Sequence, residues 1–207
     1  MPPSRRQLPA LYLITPQPGE SDTEFLQGLR AALDSRVDAL PLVRFRAHGM
    51  SPQRWRRLAA EALRACHERG ALLLLGPDAA ADISVDELLA SGADGVHLPS
   101  RVLTQLDAVT RPPGRLLAAS CHDAAQLLQA QRLGVDLVTL SPVLPTTSHP
   151  GAPGLGWQRL RELCRSTRLP VYALGGLGEQ DLGRAREAGA HGVAAIRGLW
   201  PGALPRA

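Results

Sequence analysis

Two glycine-bearing segments near the end of the chain have the composition of an anion-binding site. The first contains Gly175 and Gly176, and the second contains Ile196 and Arg197, followed by Gly198. Glycines allow several backbone N–H groups to converge on one anion, and such amides commonly bind phosphate. The alternative is that Gly175 and Gly176 only permit a tight turn. The pattern favours phosphate binding over that alternative.

Histidines that follow apolar runs are candidate proton-transfer groups. His122 lies two residues after Ser120, and His48 and His97 follow two earlier apolar runs. An imidazole takes up and returns a proton near neutral pH, as general acid–base catalysis requires. The structural alternatives are that His122 caps a helix and that His97 only packs beside its neighbours. Arg46 is either a residue that binds a carboxylate through two hydrogen bonds or a solvated loop arginine.

The elements that must position these residues are apolar runs alternating with helical patterns. The predicted strands lie at residues 11–15, 39–45, 71–75, 95–98, 116–120, 137–141, 170–174 and 192–196. The runs are apolar throughout rather than at every second residue, which is typical of a parallel sheet covered by helices. Eight such units predict an α/β fold of one (β/α)8 TIM barrel. We expect a single domain over residues 1–207, with its core at about 10–200. An open doubly wound sheet is the alternative, but no dinucleotide-type glycine fingerprint follows the first strand.

The predicted helices have recognisable ends. Ser21 or Asp22 begins the first, and Ser51 with Pro52 begins the second. Helices are expected at residues 21–36, 51–69, 85–91, 103–109, 122–133, 157–166 and 179–188, with a last helical turn opening near residue 197. Three helix-to-strand junctions share a weak repeat, at residues 92–96, 134–138 and 189–193. In each, a glycine ends a helix and a strand starts three residues later.

Composition excludes several classes of protein. The net charge is +4, but all 23 basic residues are arginine and they are mixed with 19 acidic residues, so no nucleic-acid partner is expected. The absence of lysine excludes Schiff-base chemistry. The three cysteines have neither disulfide-like nor metal-like spacing. The longest strongly apolar run, residues 71–76, is too short to span a bilayer, so we expect a cytoplasmic protein with no membrane association.

Six segments together resemble the thiamine-phosphate synthase and thiazole tautomerase family, over residues 11–199. They lie at residues 42–48, 92–98, 120–122, 141–149, 173–177 and 192–196, in the order and spacing of a barrel. The resemblance implies a TIM barrel that binds the phosphorylated thiazole half of thiamine. It implies that the phosphate is bound by Gly175, Gly176, Ile196 and Arg197, and that Thr146, Thr147 and Ser148 line the same ligand.

The chain departs from the family where synthases bind magnesium. Synthases in this family join a pyrimidine pyrophosphate to the thiazole phosphate, using magnesium held by two aspartates. Where the resemblance places the first aspartate, in an Asn-Asp-Arg run after the third strand, the chain reads Leu75-Gly76-Pro77. At the second position it has Val102, and Asp78 or Asp82 would lie near the first position only in a different register. Two expected lysines are replaced by His48 and His149. Since the leaving pyrophosphate must be neutralised, synthase activity is predicted to be weak or absent.

The tautomerases of the family need no metal, and the resemblance assigns their proton-transfer role to His122. We therefore expect a metal-independent thiazole tautomerase. Its ligand is a small phosphorylated thiazole, no cofactor is needed, and a homo-oligomer is compatible with the sequence. The alternatives are a thiamine-phosphate synthase, which alone would need magnesium, and a non-catalytic ligand-binding or regulatory relative. The remaining expected substrate-binding residues are Arg46 and Ser120, and the further candidates are His48, His97 and His149.

Overall fold

A computed structural model describes residues 8–77, 83–146 and 153–202. Eight parallel strands form a closed barrel in chain order, with β1 paired to both β2 and β8. This confirms the predicted TIM barrel and excludes the open sheet. The strands are β1 (Leu11–Ile14), β2 (Leu42–Arg44), β3 (Leu73–Leu75), β4 (Gly95–Leu98), β5 (Leu116–Cys121), β6 (Leu137–Leu140), β7 (Val171–Leu174) and β8 (Gly192–Ala195).

Helices cover the outside of the barrel. They are α1 (Asp22–Asp34), α2 (Pro52–His67), α3 (Val85–Ala90), α4 (Ser100–Leu103), α5 (Ala124–Arg132), α6 (Gly156–Arg165) and α7 (Leu182–Glu187), with a 3-10 turn over Glu179–Asp181. The predicted caps are confirmed, because the Ser21 and Ser51 hydroxyls accept from the amides three residues later, at 3.1 and 3.3 Å. None of the described helices has the length and apolar composition needed to span a bilayer.

One helix prediction was wrong, and a second expected helical region is only a turn. The helix expected at residues 103–109 is instead α4, which ends where the Thr104 hydroxyl bonds back to the Ser100 carbonyl at 3.1 Å. After β8 the chain makes the expected turn, in which the Leu199 amide donates to the Ile196 carbonyl at 3.4 Å and the Trp200 amide donates to the Arg197 carbonyl at 3.2 Å, but within the described residues it does not continue into a helix. Trp200 then packs against α1, stacked on Phe25 with ring centroids 5.6 Å apart. A Cβ atom on Gly28 would lie only 2.6 Å from the Trp200 ring, so this contact depends on a glycine.

The barrel has an outer and an inner core. The outer core lies between strands and helices, and the inner core fills the barrel, because successive strand side chains point to opposite faces. Two tyrosines, Tyr12 and Tyr172, are the largest inner side chains, with ring centroids 5.4 Å apart. The other buried inner residues are Leu8, Ile14, Leu42, Leu74, Leu116, Ala118, Leu137 and Ala194.

Two of the three repeated helix-to-strand junctions have a common structural role at the N-terminal end of the barrel. Asp94 accepts hydrogen bonds from the Leu73 amide at 2.8 Å and from His67 at 2.9 Å. Asp136 likewise accepts from the Leu117 amide at 2.8 Å. Each carboxylate thus accepts a hydrogen bond from a backbone amide of the preceding strand. The sheet itself would leave that amide without a partner. The repeat stabilises the end of the barrel opposite the candidate site.

Candidate functional site

Polar side chains replace apolar ones inside the barrel toward the C-terminal ends of the strands. Each lies two or four residues beyond an inner core residue or in direct contact with one, which places it on the same inner face. On β5 and β6, Ser120 and Thr139 are paired in register, and the Thr139 hydroxyl is buried without a hydrogen-bond partner among the described residues. The polar residues of this inner face are Arg44, His97, Ser120, Thr139 and Ser141.

His122 is held at the end of β5 by contacts on both sides. Its backbone amide donates to the Gln126 side chain at 2.9 Å, and its ring Nδ1 lies 2.7 Å from the Ser141 carbonyl oxygen and 3.3 Å from the Ser141 hydroxyl. The cap of α5 is Asp123, whose carboxylate accepts from the Gln126 amide at 2.8 Å. His122 therefore does not cap this helix, which removes the structural alternative considered for it.

The contact with Ser141 determines which nitrogen of His122 can act as a base. A carbonyl oxygen only accepts hydrogen bonds, so Nδ1 must carry a hydrogen and donate it. In the neutral ring the lone pair is then on Nε2. The side chain is partly exposed, so Nε2 is the atom that can take a proton from a bound molecule.

His97 lies deeper than the sequence suggested. It belongs to β4 itself, is fully buried, and is bonded through Nδ1 to the Tyr12 hydroxyl and through Nε2 to the Ser120 hydroxyl, both at 2.8 Å. Burial, with a smaller contribution from the charge of Arg44, lowers the pKa of His97 well below 6.5. The ring is therefore neutral, and its connection to the mouth of the barrel runs through Ser120.

Two arginines lie at the end of β2, one of which the sequence analysis did not select. Arg46 is partly exposed beyond the strand, and its backbone amide donates to the Thr15 hydroxyl at 2.9 Å. Arg44 is only 7% exposed and lies close enough to His97 to affect its pKa. A buried guanidinium below the mouth adds positive charge where an anionic ligand would bind. Its position two residues after the inner residue Leu42 was the signal that could have identified it.

His48 is positioned by a reciprocal pair of hydrogen bonds with one glutamine. Its backbone amide donates to Gln17 Oε1 at 2.8 Å, and its carbonyl accepts from Gln17 Nε2 at 2.6 Å. These bonds join the loop after β1 to the loop after β2. They fix the backbone of His48 and leave its imidazole partly exposed near Arg46 in the chain.

The two glycine-bearing loops lie side by side, as the phosphate hypothesis requires. The segments that follow β7 and β8 run beside each other as far as a parallel bridge between Gly178 and Gly198. Ile196 packs against the inner core, and Arg197 is exposed beside it. Because no helix follows β8 in the described residues, the amides of these loops, rather than a helix N-terminus, are the candidate phosphate ligands.

Gly175 and Gly176 are required by the backbone geometry of this turn. Their φ angles are +106° and +63°, which L-residues with side chains rarely adopt. A Cβ atom on Gly175 would lie 2.7 Å from Pro142 Cα, and one on Gly176 would lie 2.7 Å from the Pro145 carbonyl oxygen. The loop after β6 therefore packs directly on this turn. Tight turning and phosphate binding are compatible roles for the same glycines.

Three of the expected ligand residues belong to the loop after β6 but lie outside the described part of the chain. Thr146 is described and partly exposed next to this turn, whereas Thr147, Ser148 and His149 lie outside the described residues. Where the chain is described again, the Leu155 amide donates to the Pro142 carbonyl at 2.8 Å. The two described ends of the loop are thus held together beside the glycine turn.

The residues present do not match a magnesium site. Pro77 follows β3 and Val102 lies on α4, and neither side chain can bind a cation. Among the described residues there is no group of three or more histidine, cysteine, aspartate or glutamate side chains that could hold a metal. Asp78 and Asp82 lie outside the described residues. Cys121 is not a candidate nucleophile, because burial raises the pKa of its thiol to about 12.

Comparisons with known proteins agree with the fold and with the family that the sequence resembles. The family model described as thiamine monophosphate synthase matches residues 11–199. The solved structure of a thiamine phosphate pyrophosphorylase from Pyrococcus furiosus superposes with a TM-score of 0.69 at 24% identity, covering 93% of this chain and 87% of that one. That likeness supports the barrel fold alone.

Two relatives are similar in sequence over most of this chain. A putative thiamine-phosphate synthase 2 from Aquifex aeolicus is 32% identical, covering 92% of this chain and 97% of the relative. A thiamine-phosphate synthase from Synechococcus is 36% identical over 91% of this chain, but the match spans only 52% of that protein. These names support the synthase alternative more directly than the tautomerase. The chain therefore belongs to the thiamine monophosphate synthase family, whose relatives act in thiamine biosynthesis.

Proposed function

We propose that this protein is a metal-independent thiazole tautomerase, in which Nε2 of His122 transfers the proton. The observation that carries the proposal is the hydrogen bond from His122 Nδ1 to the Ser141 carbonyl at 2.7 Å. It fixes one tautomer and leaves a single basic nitrogen on a partly exposed ring. A ring held in this way matches the requirement for a general base that must also return its proton.

The reaction converts a carboxylated thiazole phosphate with an exocyclic alkene into the aromatic thiazole. Nε2 of His122 takes the proton from the ring carbon, and the imidazolium returns it to the exocyclic carbon. One C–H bond breaks and one forms, so nothing is consumed. The bond to Ser141 persists throughout, because Nδ1 keeps its hydrogen in both protonation states.

The other site residues would bind and orient the substrate. The loops containing Gly176 and Ile196 lie together and would hold the phosphate through backbone amides. The guanidinium of Arg46 would pair with the substrate carboxylate, and the buried charge of Arg44 would favour an anion at the same end of the barrel. Ser120, Thr146 and Arg197 are proposed as further ligand contacts.

Thiamine-phosphate synthesis is the second candidate, because the similar relatives carry that name. That reaction expels pyrophosphate, whose roughly three negative charges must be neutralised. The run Leu75-Gly76-Pro77 and the residue Val102 stand where the family has the two carboxylates that hold magnesium for this purpose. Losing one preorganised partner already costs on the order of 100-fold in rate. We therefore rank the synthase second.

Two assays on the same protein separate these functions. Conversion of the thiazole tautomer is followed by ultraviolet absorbance with wild-type protein and with His122→Asn. Asparagine retains an N–H near the position of Nδ1, so it keeps the bond to Ser141 but has no basic nitrogen. We expect normal binding of thiazole phosphate and a rate lower by roughly 100- to 10,000-fold. Equal rates for the two proteins would remove His122 from the mechanism.

The second assay mixes the protein with pyrimidine pyrophosphate, thiazole phosphate and magnesium. We expect no thiamine phosphate, and efficient turnover would instead establish the synthase. Binding of thiazole phosphate without turnover in either assay would identify a non-catalytic ligand-binding relative.

A further inference from the structure

The backbone amide of His122 lies just beyond the point where β4 stops pairing with β5. In a parallel ladder every second amide of a strand donates to the same neighbour, and on β5 the Leu116 amide donates to the Asp94 carbonyl at 2.8 Å. By the same offset, the His122 amide would face the Ser100 carbonyl. However, Ser100 begins α4, where its carbonyl accepts from the Thr104 amide and hydroxyl, both at 3.1 Å. The helix therefore uses the carbonyl that a longer sheet would offer to His122.

The side chain of Gln126 takes the place of that strand partner. Its Oε1 accepts from the His122 amide at 2.9 Å. Gln126 is itself fixed in the first turn of α5, because its own amide donates to the Asp123 carboxylate at 2.8 Å. The two bonds resemble a capping box, shifted by one residue so that the glutamine holds the residue before the cap. The start of α5 thus fixes the backbone of His122 from the helix side.

The strand side of His122 is fixed as well. The residue before it, Cys121, accepts from the Ser141 amide at 3.2 Å, which joins the end of β5 to the chain after β6. Ser141 also presents its own carbonyl oxygen to the His122 ring, 2.7 Å from Nδ1. Only two torsions join an imidazole to its backbone, so the ring can keep this contact only where the backbone is held. A displacement of the backbone by about 1 Å would take Nδ1 out of hydrogen-bond range.

We propose that Gln126 is a positioning residue, whose side chain holds the backbone of His122 so that Nδ1 donates to Ser141 and the lone pair is on Nε2. Gln126 acts through His122 rather than through the substrate. The effect of this arrangement on proton transfer rests on the proposed function. The choice of tautomer does not, since it follows from hydrogen bonds within the free protein.

The first test needs no ligand and follows the His122 ring by nitrogen-15 NMR, with the signal assigned by its loss in His122→Asn. In wild-type protein with the ring neutral, we expect the hydrogen on Nδ1 alone. In Gln126→Leu we expect it to be shared between both nitrogens, because the ring is no longer held against the Ser141 carbonyl. Gln126→Glu keeps an accepting oxygen and is expected to keep the wild-type tautomer. An unchanged tautomer in Gln126→Leu would overturn the proposal whatever the protein's activity.

A second glutamine on the same helix provides a matched control. Gln129 donates through Nε2 to the Leu106 carbonyl at 2.7 Å. Gln129→Leu therefore removes a bond of the same kind from α5 without touching the His122 amide, and we expect the Nδ1–H tautomer to persist. Gln126→Ala repeats the test without the bulk of leucine. If Gln129→Leu changes the His122 signal as much as the Gln126 variants do, the helix is merely loosened and the proposal fails.

The second test measures conversion of the thiazole tautomer in the same variants. We expect Gln126→Leu to lower kcat on the order of tenfold with KM unchanged, because the base is displaced while the groups that bind the substrate remain. Gln126→Glu and Gln129→Leu are expected to retain most of the wild-type kcat. A raised KM with unchanged kcat would show that Gln126 acts on binding and would overturn its positioning role. The expected tautomer change in a protein that does not convert the thiazole would keep that role and reject the proposed function.

Discussion

The buried imidazole of His97 makes the stability of the protein depend on pH in a direction that can be worked out. In the folded protein, burial lowers the pKa of His97 well below 6.5, whereas in the unfolded chain the ring titrates near its ordinary value of about 6.5. Between these two pKa values the unfolded chain binds more protons than the folded protein. The free energy of unfolding must therefore fall as the pH decreases below about 6.5.

The size of the effect follows from the linkage relation. Each pH unit below the unfolded pKa costs about 1.4 kcal/mol, until the folded protein itself takes up the proton. Between pH 7.5 and pH 5.0 the unfolded pKa limits the contribution of His97 to at most about 2 kcal/mol. For a chain of this length, that corresponds to a change of about 4–8 °C in the unfolding temperature.

Urea unfolding of wild-type protein and His97→Gln over this pH range isolates the contribution of the one residue. Glutamine does not titrate but is of similar size and retains an amide that can bond Ser120. Titration of the carboxylates and other histidines is common to both proteins and cancels in the difference. We expect the stability of wild type relative to the variant to fall toward pH 5.0, by at most about 2 kcal/mol. A difference that is constant with pH would show that His97 is not a buried neutral residue.

Two further predictions concern the glycine turn and the cysteines. Gly176→Ala should destabilise the protein by roughly 1–3 kcal/mol in urea unfolding, because its φ of +63° is strained for alanine and the new Cβ would lie 2.7 Å from the Pro145 carbonyl oxygen. Gly183→Ala, where a Cβ would meet nothing within 4 Å, should be at least as stable as wild type, and an equal loss in both variants would contradict this explanation. The three thiols should not react with a disulfide reagent at pH 8 until urea is added, since burial raises their pKa to about 11–12, and rapid labelling of the folded protein would show that one is accessible.

Local patterns in the sequence were sufficient to predict the barrel. Continuous apolar runs, serine caps such as Ser21 and Ser51, and glycines at helix ends act within a few residues, so they can be interpreted without the tertiary structure. The positions that follow each strand were likewise predictable, because all parallel strands of a barrel end at the same rim. The exception was the region after β4, where the predicted helix at residues 103–109 is replaced by the shorter α4, which ends at the Thr104 hydroxyl's bond to the Ser100 carbonyl.

The chemical state of the site residues depended on contacts between different strands. His122 and His97 look equivalent in the sequence, since each belongs to or follows an apolar strand, yet one is bonded to the Ser141 carbonyl and the other is enclosed with Tyr12 inside the barrel. Arg44 reads as part of a strand and becomes a candidate only once its side chain is known to lie on the inner face. Residue types and strand ends are properties of the local chain, so the sequence alone determined which groups could react. Burial and hydrogen bonding arise from residues far apart in the chain, and for that reason only the tertiary structure decided which nitrogen carries a proton and which side chain reaches the mouth.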